Sequence, residues 1–271
     1  MPSERPIGIF DSGIGGLSVL GHIHRLLPHE RLIYVSDRAY LPYGNKDEGF
    51  VLERAQHITR FLIQRQVKAI VIACNTATAA AVRQLRSAYD LPIVGMEPGV
   101  KPAIQLSSRG RIGVLATQGT LSSGKFQSLL REHARESKVV ICPCEGWVEA
   151  IEYRGPQHPD TQRLVNQQLQ PVLEAGVDTL VLGCTHYPFV KPSIEASAGA
   201  DVRIIDTGPA VARQLFRRLE ELDLLDGTQQ PGEEEFWCSA PAEQTRELIE
   251  RLRGLRTRVQ ALPEPNRTTR S

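Results

Sequence analysis

The stretch AIVIACNT, residues 69–76, runs five apolar residues into a cysteine followed by a polar turn. TLVLGCTH, residues 179–186, repeats the arrangement, with Cys184 standing 110 positions (184 − 74) after Cys74. A short run that is apolar throughout predicts a strand covered on both faces, and such strands belong to parallel sheets flanked by helices. Runs at 6–10, 31–36 and 91–95 surround the first, and runs at 111–116, 138–142 and 202–206 surround the second. Helical spacing over 17–27, 49–65, 124–136 and 160–175 separates them. The alternation implies an α/β fold of doubly wound, mostly parallel sheets.

The pattern restarts midway. Ile7-Gly8-Ile9 is echoed by Ile112-Gly113-Val114, an offset of 105 (112 − 7) close to that of the cysteines. Two related domains explain such similar offsets. MEPGVKP at 96–102, with two prolines and a glycine, suits the boundary. Beyond Asp206 the sequence predicts a helix at 209–222, a strand at 235–239 and a helix at 241–253 that fold back on the first domain. The expected units are therefore 1–97 with 208–262, then 98–207, with a mobile tail at 263–271. Their active site is expected in the cleft between two pseudo-symmetric halves.

Composition limits the rest. With 271 residues the chain buries a core without disulfide or metal staples. Its 32 basic and 31 acidic residues leave a net charge of +1, which argues against nucleic acid as a partner. No apolar run approaches the roughly 20 residues of a membrane helix. The opening MPSERPIGIFDSG is too polar for a signal peptide, and five cysteines form no even disulfide framework. A cytoplasmic protein with reduced thiols is expected.

Each cysteine ends a strand, at the sheet edge where open α/β folds bind ligands. Asn75 and Thr76 follow one, Thr185 and His186 the other. Two thiols facing each other across a cleft suit either a redox disulfide or proton transfer at a stereocentre, one sulfur removing a proton while the other delivers one. A free thiol of pKa about 8.5 is only about 3% ionised at pH 7, so proton-handling neighbours are expected. Asp11, Glu152 and His186 are the candidates. Two other patterns mislead. GTLSSGKF, 119–126, mimics a phosphate loop but has Phe126 where the metal-binding hydroxyl belongs. Cys142 and Cys144 with Cys184 and His186 could be drawn as a zinc site, yet C-x-C is a poor zinc spacing and no metal is expected.

IFDSGIGGLSVL (9–20), YVSDRAYLPYG (34–44), ACNTATA (73–79), GVLATQGTLSSGKF (113–126) and GCTHYP (183–188) together resemble the bacterial glutamate racemase family. The resemblance implies racemisation of L- and D-glutamate without pyridoxal phosphate or another cofactor, supplying D-glutamate for peptidoglycan. It also implies a sealed interdomain site and a homodimer. Cys74 would act on D-glutamate and Cys184 on L-glutamate, with Asp11, His186 and Glu152 assisting. Glu149 competes with Glu152 for the third role. Ser12, Asn75, Thr76, Thr117, Thr120 and Thr185 correspond to substrate-holding positions, and Pro42, Tyr43 and Gly44 to the loop at the substrate's distal end. An aspartate racemase, or a racemase-like protein that only binds acidic ligands, are the alternatives.

Overall fold

The computed structural model describes residues 4–134 and 137–264. Its first run of elements is β1 (Ile7–Asp11), α1 (Leu17–Leu26), β2 (Leu32–Ser36), α2 (Glu48–Gln64), β3 (Ala69–Ile72), α3 (Asn75–Ala88) and β4 (Ile93–Gly95). A second run follows: α4 (Val100–Leu106), β5 (Arg111–Leu115), α5 (Gln118–Ser122), α6 (Gly124–His133), β6 (Lys138–Cys142) and α7 (Trp147–Glu149). It continues through α8 (Pro159–Glu174), β7 (Thr179–Leu182), α9 (Lys191–Ala198) and β8 (Arg203–Ile205). The chain then adds α10 (Gly208–Glu221), β9 (Glu234–Cys238), α11 (Ala242–Arg253) and β10 (Val259–Ala261).

The strands form two sheets, in the orders β10-β9-β2-β1-β3-β4 and β6-β5-β7-β8, and every pairing is parallel. Within them, the order β2-β1-β3-β4 matches β6-β5-β7-β8 strand for strand. The echo of Gly8 by Gly113 has a packing cause. A Cβ on Gly8 would stand 2.9 Å from Leu62 of α2, and one on Gly113 would stand 2.7 Å from Val172 of α8. Each glycine lets the helix behind its sheet approach closely. The segment after Asp206 pairs β9 with β2 in register from Leu32↔Glu234 to Ser36↔Cys238. Glu30, buried against Lys68 at 2.6 Å, accepts the Asp226 N–H and ties this return to the first half.

In both sheets the chain leaves the first central strand in opposite directions, toward β2 and β3 or toward β6 and β7. The carboxyl ends at such a reversal open a crevice. Asp11 ends β1 and Cys74 follows β3, so the parallel pairing of β1 with β3 brings them together. Thr117 and Cys184 follow β5 and β7, which are paired in the same way. The largest cluster of buried apolar side chains includes Ile9, Tyr34 and Val71 from the first half and Trp147, Leu182 and Tyr187 from the second.

Several expectations change in detail. The strand expected over 68–74 stops at Ile72, because Cys74 already caps α3. The helix expected to 136 ends at His133; Glu136 lies outside the described residues. β10 is an edge strand that the sequence reading left out. Of the tail expected to be mobile, Pro263 and Glu264 lie against the first half: the Pro263 carbonyl is 3.0 Å from His57 Nε2, and Glu264 accepts from Tyr40. Residues 265–271 lie outside the described residues. Among those described, no helix is long and apolar enough to cross a membrane.

Candidate active site

Cys74 and Cys184 line the same cavity, between the facing strand ends of the two sheets. Of the residues assigned to proton transfer or substrate holding, all reach its wall except Asp11 and Glu152, which stand behind it, and the competitor Glu149 does not reach it either. The cavity is about 10 Å³, room for about one water molecule and too small for a ligand of amino-acid size in this conformation. Larger clefts, of about 1060 and 830 Å³, are lined without any cysteine.

The Cys74 side is built from the first sheet. The Cys74 sulfur caps α3 by accepting the Ala77 N–H at 3.4 Å and stands 3.9 Å from Ser12 Oγ. The buried Asp11 carboxylate accepts the N–H groups of Ser12 (2.7 Å) and Gly16 (2.6 Å) and the Thr185 hydroxyl (3.2 Å). Burial pushes the Cys74 thiol well above its usual range, and the Asp11 charge pushes it further. Burial raises the Asp11 carboxyl too, against the opposing pull of His186 and the two backbone donors.

The Cys184 side is organised differently. No helix N-terminus adjoins this sulfur, unlike Cys74 at the start of α3. Instead a 3₁₀ turn at Tyr187–Val190 precedes α9, and an imidazole takes the place of helix amides. His186 Nδ1 lies 3.7 Å from Cys184 Sγ, and its Nε2 lies 2.8 Å from Glu152 Oε1. That oxygen also accepts the Ile14 N–H at 2.7 Å, and Oε2 accepts Arg38 Nε at 2.8 Å. Burial works against a charged His186, but its bonds to Cys184 and Glu152 outweigh it and hold the imidazole protonated well above the usual range. Burial would likewise raise Glu152, yet His186, Ile14 and Arg38 hold it below the usual carboxylate range.

Glu152 is 2% exposed, whereas Glu149 is half-buried and outside the chain of contacts to His186. Glu152 sits in a π-helical turn, Ala150–Arg154, a distortion frequent at functional sites. A Cβ on Gly13 would overlap its carboxylate, so the glycine-rich turn after β1 must be bare at this point.

Polar groups close the remaining wall. Thr76 Oγ1 lies 3.0 Å from Thr117 Oγ1 and 3.2 Å from Thr120 Oγ1, a hydroxyl triangle that joins the two halves. Asn75 is buried, and neither atom of its side-chain amide has a hydrogen-bond partner among the described residues. An orphaned buried amide is costly, and a ligand carboxylate would satisfy it. Tyr43 is held through its hydroxyl on Asp37, which also takes both arms of Arg54 at 2.8 and 2.9 Å. Sequence reasoning missed Arg38, Asp37 and Arg54. The first two lie within YVSDRAYLPYG, but no periodicity marks a residue whose partner is 114 positions away.

A family model described as Asp/Glu/Hydantoin racemase matches residues 15–215. The glutamate racemase of Methylococcus capsulatus is 53% identical over 241 residues, covering 89% of each chain. Among solved structures, glutamate racemase isoform RacE1 of Bacillus anthracis superposes with a TM-score of 0.89 at 32% identity, covering 97% of this chain and 99% of that one. The Escherichia coli glutamate racemase, solved with L-glutamate and the activator UDP-MurNAc-Ala, gives a TM-score of 0.84 at 32% identity, covering 95% and 98%.

Proposed function

This chain belongs to the Asp/Glu/Hydantoin racemase family, and from that premise we propose that it interconverts L- and D-glutamate, with Cys74 and Cys184 as its two proton-transfer groups. The observation that carries the assignment is the sharing of one small cavity by two thiols from equivalent strand ends of two matching sheets. Racemisation needs a base on one side of Cα and an acid on the other, and the two directions of reaction exchange those roles.

In the resting site the proton lies on Cys74, whose thiol burial and Asp11 keep neutral, while a cationic His186 faces Cys184. L-Glutamate then loses its Cα proton to the Cys184 thiolate and gains one on the opposite face from Cys74. D-Glutamate is used after the protons have redistributed. The amide of Asn75 and the hydroxyls of Ser12, Thr76, Thr117, Thr120 and Thr185 hold the two carboxylates by neutral hydrogen bonds, with Pro42, Tyr43 and Gly44 at the distal end. Asp11 and Ser12 receive the ammonium. Closure excludes water and fixes Cα between the sulfurs, which strengthens each of these interactions.

The product serves peptidoglycan synthesis. The divisions at 97 and 207, suggested by the repeat in strand order, give each half one thiol. Family resemblance supports a homodimer, which light scattering on the purified protein tests, and the five free thiols fit a cytoplasmic setting.

Turnover in D₂O tests the mechanism. The wild-type protein should place deuterium at Cα of the product enantiomer, and Cys74→Ala and Cys184→Ala should each abolish racemisation. If either alanine variant racemises near the wild-type rate, the two-thiol assignment is wrong. Parallel assays with glutamate and aspartate establish the substrate.

A further inference from the structure

Arg38 follows β2 in the first half, and Glu152 lies in the π turn of the second. Arg38 Nε donates to Glu152 Oε2 at 2.8 Å, and Nη2 donates to the Glu152 carbonyl at 3.4 Å. The Arg38 side chain is 9% exposed and that of Glu152 is fully buried, so water screens the pair poorly. Ile14, whose backbone N–H also donates to this carboxylate, comes from the first half as well. Both contacts therefore bridge the two halves across the cleft.

Charge counting shows why the contact matters. With a proton on His186 and none on Cys184, the buried chain carries a thiolate, an imidazolium and a carboxylate. Its sum is one negative charge, to which the buried Asp11 carboxylate facing His186 adds another, and the Arg38 guanidinium offsets one of the two. Without that cation the site would hold both charges uncompensated away from water, a costlier state. Protonating the thiolate is the direct way to remove one of them. The other titratable groups facing the chain are Asp11, Tyr34, Cys74, Cys144, Tyr187 and Cys238, and none of these six can supply a positive charge.

We infer that Arg38 is a positioning residue for proton transfer at Cys184: it reaches across the closed cleft to balance the Cys184–His186–Glu152 chain, so that the base is completed only as the halves shut. This role rests on the two-thiol reading above.

Two variants remove the charge in different ways. Arg38→Gln keeps a donor toward Glu152, and Arg38→Met keeps an apolar stem of similar length without the guanidinium. With folding verified by circular dichroism, each should lower kcat/KM at neutral pH about 10- to 100-fold, the scale of a lost charge-assisted bond. Activity should recover as the pH is raised, because hydroxide then removes the proton that Arg38 no longer discourages. Arg38→Lys keeps the charge and should keep the shape of the wild-type pH profile. Iodoacetamide labelling, mapped by peptide mass spectrometry, should slow about tenfold at Cys184 in the two charge-removing variants and stay unchanged at Cys74.

A folded variant without the charge whose pH profile and Cys184 labelling match wild type overturns the inference, as does a loss of activity that is equal at every pH. Slower labelling of Cys184 with unaltered racemisation would instead refute Cys184 as the base, and with it any part for Arg38 in the reaction.

Discussion

Cys74 ends its strand at the first turn of α3, with a backbone N–H on its sulfur and the Asp11 carboxylate raising its thiol. Cys184 ends the matching strand beside an imidazole, backed by a carboxylate and then a guanidinium. The duplicated scaffold supplies two equivalent positions, while the local neighbours make them chemically unlike. A two-base racemase needs that difference, since one sulfur must hold a proton when the other does not. Because L- and D-glutamate are mirror images of equal free energy, kcat/KM must be the same in both directions for every variant. Any asymmetry between the two sides therefore shows in kcat, in KM, in isotope effects or in thiol reactivity.

Short of removing a thiol, the largest effect is expected from Glu152→Gln, which interrupts the chain behind Cys184. Activity should fall about 100-fold or more, in the range for loss of general acid–base assistance. The primary isotope effect should grow more with Cα-deuterated L-glutamate than with the D enantiomer. The variant also leaves Arg38 without its buried partner, and chemical denaturation should register a loss of about 3 kcal/mol. Equal isotope effects for the two enantiomers would break the comparison.

Asp11→Asn is expected to cost less, about tenfold, because the amide oxygen still accepts two of the four hydrogen bonds that the carboxylate takes. Removing a negative neighbour lowers a thiol's pKa, so Cys74 should alkylate faster at neutral pH while Cys184 does not. Unchanged labelling of Cys74 would show that Asp11 does not set its proton affinity.

Thr120→Val removes one corner of the hydroxyl triangle between the halves. A neutral hydrogen bond of about 1 kcal/mol corresponds to roughly fivefold, expected in KM rather than in kcat. A fall in kcat alone would place Thr120 in the chemistry and not in the closure.

Stability gives the smallest signal. His186 is raised above its usual 6.5, so its contribution is full below that pH and is lost as pH rises through the folded value. Glu152 is lowered from 4.5, so its contribution is present above that pH and is lost as pH falls through its folded value. Both act fully between about pH 4.5 and 6.5. Thermal melts of wild type should be flattest across that window, and His186→Asn should lose the plateau, at about 2–4 °C per kcal/mol.

Much of this comparison is legible in the chain. Apolar runs ending in Cys74 and Cys184 locate both thiols, since only strands buried on both faces tolerate so little polarity. The choice between Glu149 and Glu152 is not legible. Three positions apart, they share a face of an ideal helix, and a π turn that burial alone reveals brings one of them to His186. The surroundings of Cys184 are hidden for a similar reason. A strand followed by polar residues predicts a helix start, yet Pro188 opens a 3₁₀ turn and leaves the imidazole to face the sulfur.

The sequence by itself determined the parallel α/β halves, their repetition and the two cysteines, because periodicity and offset are properties of a chain read locally. Only the tertiary structure decided which groups surround each sulfur. Arg38, Ile14 and Glu152 are remote along the chain and meet through the closing of one half upon the other. Electrostatic balance in a buried site depends on such through-space neighbours, which no local pattern of residues encodes.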